Sequence, residues 1–144
     1  MKIQDILARK GREVHTVGPK QTVTQAVRLL VTHGIGSLMV VESGEIRGII
    51  TERDILRLVD RDPSALATMK VEEAMTRELV VAVPGDDVQH VMNVMTNNRV
   101  RHLPVVEGGS LYGIISIGDV VNAMRRDAES ENQHLKQYVQ GMVR

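Results

Sequence analysis

Apolar residues recur at i, i+3, i+4 and i+7, the spacing of one helical face, in two separate segments of the chain. These positions are Val23, Ala26, Val27 and Leu30 in the first segment, and Val88, Val91, Met92 and Met95 in the second. Thr22 with Gln25 resembles a capping box, and Gly34 is a suitable stop for the first helix. Asp87 is the expected N-cap of the second.

Short β-prone runs surround both predicted helices. One precedes each helix, at 14–17 and 79–83, and is closed by Pro19 or Pro84. Two more follow each helix and are expected at 37–41, 46–51, 102–106 and 111–116. Ser43-Gly44 and Gly108-Gly109 predict tight turns between them, and another helix begins at Thr51 or Ser116. The predicted order is β-α-β-β-α, twice, which is an α+β fold.

The two segments are copies of one unit. At an offset of 65, residues 12–56 align with residues 77–121 without a gap, and thirteen of these 45 positions are identical. Two copies are too few for a solenoid. We therefore expect two similar halves about a pseudo-two-fold axis, with boundaries at 1–65, 66–125 and a tail at 126–144.

The segments outside the repeats also carry helical patterns. Residues 3–7 and 71–75 predict helical turns that lead into the first and second half. In the tail, the segment from Ser130 can cap a helix whose apolar face is Leu135, Tyr138, Val139 and Met142. That face either packs on its own domain or forms a dimer contact.

One motif stands at the same place in both halves. Residues 48–54 read GIITERD and residues 113–119 read GIISIGD, so the pattern is Gly, two aliphatics, a hydroxyl residue, two variable residues and Asp. The hydroxyl residue and the Asp can form a capping box. The same helix start also suits a phosphate, and the carboxylate can accept both hydroxyls of a ribose. Its duplication favours a ligand.

Composition excludes several function classes. Lys plus Arg and Asp plus Glu are 18 each, and the only aromatic residues are Tyr112 and Tyr138, so a nucleic-acid partner is not expected. There is no cysteine for a disulfide or a zinc thiolate site. No apolar run suits a signal peptide or a membrane span, so we expect a cytoplasmic protein without a membrane partner.

No catalytic or metal-binding constellation emerges. The five histidines are scattered without a ligand spacing, and no phosphate-binding loop, dinucleotide fingerprint or nucleophile elbow is present. We therefore predict no catalytic residue, no metal and no obligatory cofactor, and hence no enzyme.

The doubled β-α-β-β-α unit and the paired G-h-h-[T/S]-x-x-D motif resemble the CBS (cystathionine-β-synthase) domain family. Residues 99–106, RVRHLPVV, are also similar to the second repeat of that family. The resemblance covers about residues 1–125 and implies a tandem CBS domain pair, of the stand-alone bacterial kind, with a C-terminal helix.

The resemblance also implies a nucleotide site. Asp54 and Asp119 would hold ribose, and Thr51 and Ser116 would hold phosphate or ribose. The base would lie between aliphatic side chains. The remaining lining positions are Thr16, Val17, Ser37, Leu38 and Met39 in the first half, and Val80, Val81, Arg101, His102, Leu103 and Pro104 in the second.

The two halves differ in their basic residues. The second has Arg99, Arg101 and His102 where the first has Gly34, Gly36 and Ser37, and only the first carries Arg53 in its motif. Arginine suits a phosphate, although Arg99 and Arg101 could instead be solvated or pair with Glu107. We expect at least one occupied site and two sites of unequal affinity.

The leading functional hypothesis is a regulatory module that binds AMP, or else ADP, ATP or NAD(H), and acts as an energy or redox sensor. The ligand would bridge the halves of a homodimeric module and signal to a separate, unknown protein. The alternatives are a module for S-adenosylmethionine or polyphosphate, a ligand-free interaction scaffold and, last, an enzyme.

Overall fold

The computed structural model of the protein describes residues 1–143 and contains the predicted repeat twice. The elements of the first part are α1 (Ile3–Lys10), β1 (Thr16–Val17), α2 (Val23–His33), β2 (Ser37–Glu42), β3 (Glu45–Thr51), α3 (Glu52–Arg61), a 3-10 turn (Pro63–Ala67) and α4 (Val71–Ala74). The second part holds α5 (Val88–Asn98), β4 (His102–Glu107), β5 (Ser110–Ser116) and α6 (Ile117–Val143).

The helix that follows the first strand begins as predicted in both copies. Thr22 accepts the Gln25 N–H and the Gln25 side chain accepts the Thr22 N–H, and Gly34 ends α2 in the left-handed conformation. Asp87 is the N-cap residue of α5, but its side chain forms no cap hydrogen bond and instead pairs with Lys2 at 2.9 Å. The prediction was correct for the helix start and incomplete for the role of Asp87.

Each half contains an antiparallel hairpin at the predicted position. β2 pairs with β3, and β4 pairs with β5. The turn residues Ser43-Gly44 and Gly108-Gly109 all have positive φ, as two-residue hairpin turns with right-handed strand twist require. Both hairpins also show a register shift at the same place, after Val40 and after Val105.

The first strand of the second repeat is reduced to a single bridge. In the first repeat, β1 runs parallel to β2 and the Met39 N–H donates to the His15 carbonyl. Pro104 stands at the position of Met39 and has no N–H to donate, so the equivalent bond cannot form. Only Ala82 pairs there, through bonds to the Pro104 carbonyl and the Val106 N–H. The strand predicted at 79–83 was therefore too long.

The tail continues the last helix of the repeat. α6 runs unbroken from Ile117 to Val143. The prediction of a separate helix that begins at Ser130 was therefore wrong. Leu135 and Val139 are 62% and 54% exposed, so they do not pack on the rest of this chain. The side chains of Tyr138 and Met142 lie outside the described residues.

The chain forms two compact units, and each contains one repeat together with a linker segment. One unit is Glu13–Val81, and the other joins Met1–Arg12 to the chain from Ala82 onward. The helical turns predicted at 3–7 and 71–75 are present, but α1 packs against β5 and α6 of the later repeat, and α4 packs against β3 of the earlier one. The boundary predicted near residue 65 stays a prediction about the sequence repeat.

A motif glycine allows each linker to approach its strand closely. A Cβ at Gly48 would lie 2.6 Å from the Thr76 carbonyl oxygen, and a Cβ at Gly113 would lie 2.9 Å from a methyl of Leu7. Only glycine fits such contacts without movement of the neighbours. These two glycines therefore fix the linker segments beside the strand-to-helix junctions.

Candidate functional site

The hairpin register places the predicted polar residues next to one another at each strand-to-helix junction. In the first junction, Ser37 at the start of β2 lies opposite Thr51 at the end of β3. In the second junction, His102 lies opposite Ser116, and the Ile117 N–H donates to the Arg101 carbonyl at 2.8 Å. Residues distant in sequence thus come together at the first turn of α3 and of α6.

Both motifs form the reciprocal capping box that the sequence predicted. The Asp54 N–H donates to Thr51 Oγ1 at 3.2 Å, and Asp54 Oδ2 accepts the Thr51 N–H at 2.9 Å. Ser116 and Asp119 form the same pair of bonds, at 3.2 and 2.8 Å. The capping role is confirmed, and any role in ligand binding must come from the remaining capacity of these groups.

The Asp54 carboxylate is engaged through both oxygens and is buried. Oδ2 also accepts the Thr51 hydroxyl at 3.1 Å, and Oδ1 accepts the Thr76 hydroxyl at 3.1 Å. Arg57 lies 3.9 Å from Oδ1, and the Asp54 side chain is only 7% exposed. Both oxygens of Asp54 therefore already accept hydrogen bonds from residues of their own unit.

The Asp119 carboxylate is more open and carries a different neighbour. Asp119 Oδ2 accepts hydrogen bonds from the Ser116 N–H and, at 2.7 Å, from the Lys10 ammonium. Neither of these donors bonds to Oδ1. The side chain is 22% exposed. Burial alone would raise the pKa of Asp119, but the hydrogen bonds from Lys10 and Ser116 outweigh it and lower that pKa below its usual range. Asp119 is thus held as a carboxylate.

The apolar lining positions are mostly buried. Val17, Leu38, Met39, Leu103 and Pro104 are all buried. These five side chains are therefore largely withdrawn from solvent within their own units. Thr16 is exposed on β1, opposite Met39 in the parallel pair.

Val80 and Val81 belong to a different compact unit from the other residues predicted for the second repeat. They end the compact unit that begins at Glu13, whereas Ala82 begins the segment paired with β4. Val80 is half-buried and Val81 is exposed. Their place in the site stays a prediction.

The predicted basic residues are exposed around the junctions. Arg53, Arg99 and Arg101 are all exposed, and within the described residues no ion pair joins either Arg99 or Arg101 to Glu107. Arg99 ends α5 with φ of 55°, a conformation that favours glycine, at the position equivalent to Gly34. Arg99 and Arg101 therefore present exposed positive charge in the segment that leads into β4.

Two residues beside the motif carboxylates were missed from the sequence. Lys10 reaches Asp119 across 109 positions of sequence, and Thr76 reaches Asp54 across 22. Neither belongs to the motif or to the apolar pattern, so no local feature marked it. His15 and His33 were also missed as a pair, and their rings stack at 3.8 Å.

Other site classes find no support in residues 1–143. In this part of the chain no group of three or more His, Cys, Asp or Glu side chains is placed to hold a metal ion. Every helix in it is too short or too polar to span a bilayer.

Comparison with known proteins decides the family. The model of the CBS domain family matches residues 3–61 and 71–126, and so covers both repeats. The chain belongs to the CBS domain family. The fold is therefore a tandem CBS pair with a C-terminal helix, as the sequence predicted.

Relatives that contain CBS domains match most of this chain. A mitochondrial CBS domain-containing protein of Arabidopsis thaliana, CBSX3, is 37% identical over 96% of this chain and 72% of its own length. The crystal structure of a CBS-domain protein from Agrobacterium tumefaciens is 42% identical, has a TM-score of 0.84, and is matched over 86% of this chain and 99% of its own.

A third relative was solved with ligands. The CBS domain pair of protein MJ0100, in complex with 5'-methylthioadenosine and S-adenosyl-L-methionine, is 26% identical and has a TM-score of 0.78. It covers 88% of this chain and 98% of its own. That protein binds adenosine-containing molecules.

Proposed function

We propose that this CBS pair is a regulatory module that binds an adenine nucleotide, with AMP as the preferred ligand, and catalyses no reaction itself. The strand-to-helix junction of the second repeat would be the principal site. Asp119 would accept the ribose hydroxyls, and the start of α6 together with the exposed Arg99 and Arg101 would face the phosphate. A bound nucleotide would then change the affinity of a separate protein.

One observation carries this proposal. The Asp119 carboxylate is ionised and 22% exposed, and Oδ1 takes no part in the two bonds that fix Oδ2. It can accept a ligand hydroxyl without giving up its capping bond to the Ser116 N–H. Arg101 and His102 stand beside the same junction through the pairing of β4 with β5 and the bond to Ile117.

The ligand complex of the MJ0100 pair supports the adenosine part of the proposal. The choice of AMP rests on charge, because Arg99, Arg101 and Lys10 favour an anionic ligand at this junction. S-adenosylmethionine is the second candidate, since that related pair binds it. ADP, ATP and NAD(H) share the required ribose and phosphate. The homodimer and the regulated protein stay predictions.

Calorimetric titration of the purified chain with AMP, NADH and S-adenosylmethionine tests the proposal. We expect AMP to bind more tightly than S-adenosylmethionine. Mass spectrometry of small molecules released on denaturation provides an independent identification of any ligand that copurifies. Binding of S-adenosylmethionine alone would replace AMP as the ligand, and binding of no adenosine compound would contradict the proposed function.

A further inference from the structure

Lys10 is held firmly beside the motif carboxylate of the second repeat. Its helix, α1, is anchored by buried Leu7, which packs on Gly113 of the motif strand. Directly after the helix, Arg12 lies 3.6 Å above the Tyr112 ring and donates to the Tyr112 carbonyl. Contacts on both sides of Lys10 therefore place its side chain at the junction.

Lys10 and a ribose would compete for the same carboxylate. Lys10 Nζ lies 2.7 Å from Asp119 Oδ2, and the two side chains are 34% and 22% exposed. A ribose that engages both carboxylate oxygens must displace this ammonium or share Oδ2 with it. A displaced ammonium remains tethered within the length of a lysine side chain and gains most from a new anionic partner.

In the first repeat, the linker residue that contacts the motif carboxylate is not a cation. There the linker offers the neutral Thr76 hydroxyl to Asp54. The linkers thus touch the two motif carboxylates in equivalent ways but with different chemistry. We therefore expect a linker residue to make binding affinity depend on ligand charge in the second repeat and not in the first.

We propose that Lys10 is a specificity-determining residue that makes the second-repeat site select phosphate-bearing adenosine ligands over neutral or cationic ones. A ligand phosphate would form a new ion pair with Lys10 when the ribose displaces Lys10 from Asp119. Adenosine has no anionic group that could do so. The sulfonium of S-adenosylmethionine would be repelled by the ammonium. This inference rests on the proposed function, because it assigns the ligand class of the same site.

The Lys10→Met variant tests the inference by the ratio of AMP affinity to adenosine affinity. We expect this ratio to fall about tenfold, the effect of one lost charge-assisted contact. Lys10→Arg should retain most of the wild-type ratio. Lys2→Met is the matched control, since it removes a lysine of the same unit that pairs with Asp87 and not with a motif carboxylate, and it should leave the ratio unchanged.

A second readout needs no ligand. Nuclear magnetic resonance titration of the Asp119 carboxyl should show a higher pKa in Lys10→Met than in the wild type, because Lys10 provides the main lowering interaction. An unchanged AMP-to-adenosine ratio or an unchanged Asp119 pKa would overturn the role of Lys10. If the wild type binds no adenosine compound, the proposed function itself fails, and the inference fails with it.

Discussion

The two strand-to-helix junctions share one motif but differ in what the motif carboxylate already binds. Asp54 is buried, accepts three hydrogen bonds besides its contact with Arg57, and uses both oxygens. Asp119 is three times more exposed by the side-chain values of 22% and 7%, and its two bonds fall on Oδ2 alone. We therefore infer that Asp54 mainly stabilises its unit, whereas Asp119 retains capacity for a ligand.

The two copies of the motif keep the same capping geometry but differ in their surroundings. Both carboxylates cap their helices with bonds of the same lengths to within 0.1 Å. The divergence comes from the linker, which supplies Thr76 to one and Lys10 to the other. One neighbouring residue thus gives two otherwise equivalent carboxylates different electrostatic surroundings.

The largest effect on stability is expected from Asp54→Ala. This change removes the acceptor for the Thr51 N–H and for the hydroxyls of Thr51 and Thr76 in a buried environment. We expect the free energy of unfolding to fall by roughly 2–3 kcal/mol. Asp119→Ala should lower it by about 1 kcal/mol, because a cap is lost but the ion pair with Lys10 is partly solvated. Urea denaturation of both variants measures the difference.

Equal losses of stability in the two variants would show that Asp54 is no more important for folding than Asp119. A larger loss in Asp119→Ala would reverse it and make Asp119 the structural carboxylate. Thr76→Val offers a narrower check, since it removes only one hydroxyl from Asp54 and should destabilise less than Asp54→Ala.

A smaller effect is expected at the end of α5. Arg99 adopts the left-handed conformation that Gly34 adopts at the end of α2. Arg99→Gly should raise the free energy of unfolding by roughly 0.5–1 kcal/mol, since glycine carries no Cβ penalty there. Gly34→Arg is the reciprocal variant and should lower it by a similar amount. Thermal unfolding measures both, and a loss of stability in Arg99→Gly would show that the arginine side chain stabilises its unit.

Much of the fold could be predicted from the sequence because its determinants are local. The helical face of α2, its Thr22–Gln25 capping box and the Ser43-Gly44 turn each follow from residues within one turn of structure. The duplication then supported each assignment with a second copy.

The remaining features depend on contacts that the sequence pattern does not show. Pro104 shortened the first strand of the second repeat through a missing N–H, an effect visible only once its partner strand was known. The polar segment at Ser130 resembled a helix cap in the sequence, but it lies inside the continuous helix α6. The Lys10 contact arises because α1 packs on the later repeat, whereas the sequence indicated only that α1 precedes the first.

The most direct test is the affinity for AMP of Asp119→Ala and Asp54→Ala, measured by calorimetry below the unfolding temperature of either variant. We predict that Asp119→Ala weakens binding by roughly 1–3 kcal/mol, about 5- to 150-fold, as expected when polar ligand groups lose their partner. Folded Asp54→Ala should bind AMP with less than half of that loss in free energy. Full AMP affinity in Asp119→Ala would show that Asp119 does not bind the nucleotide.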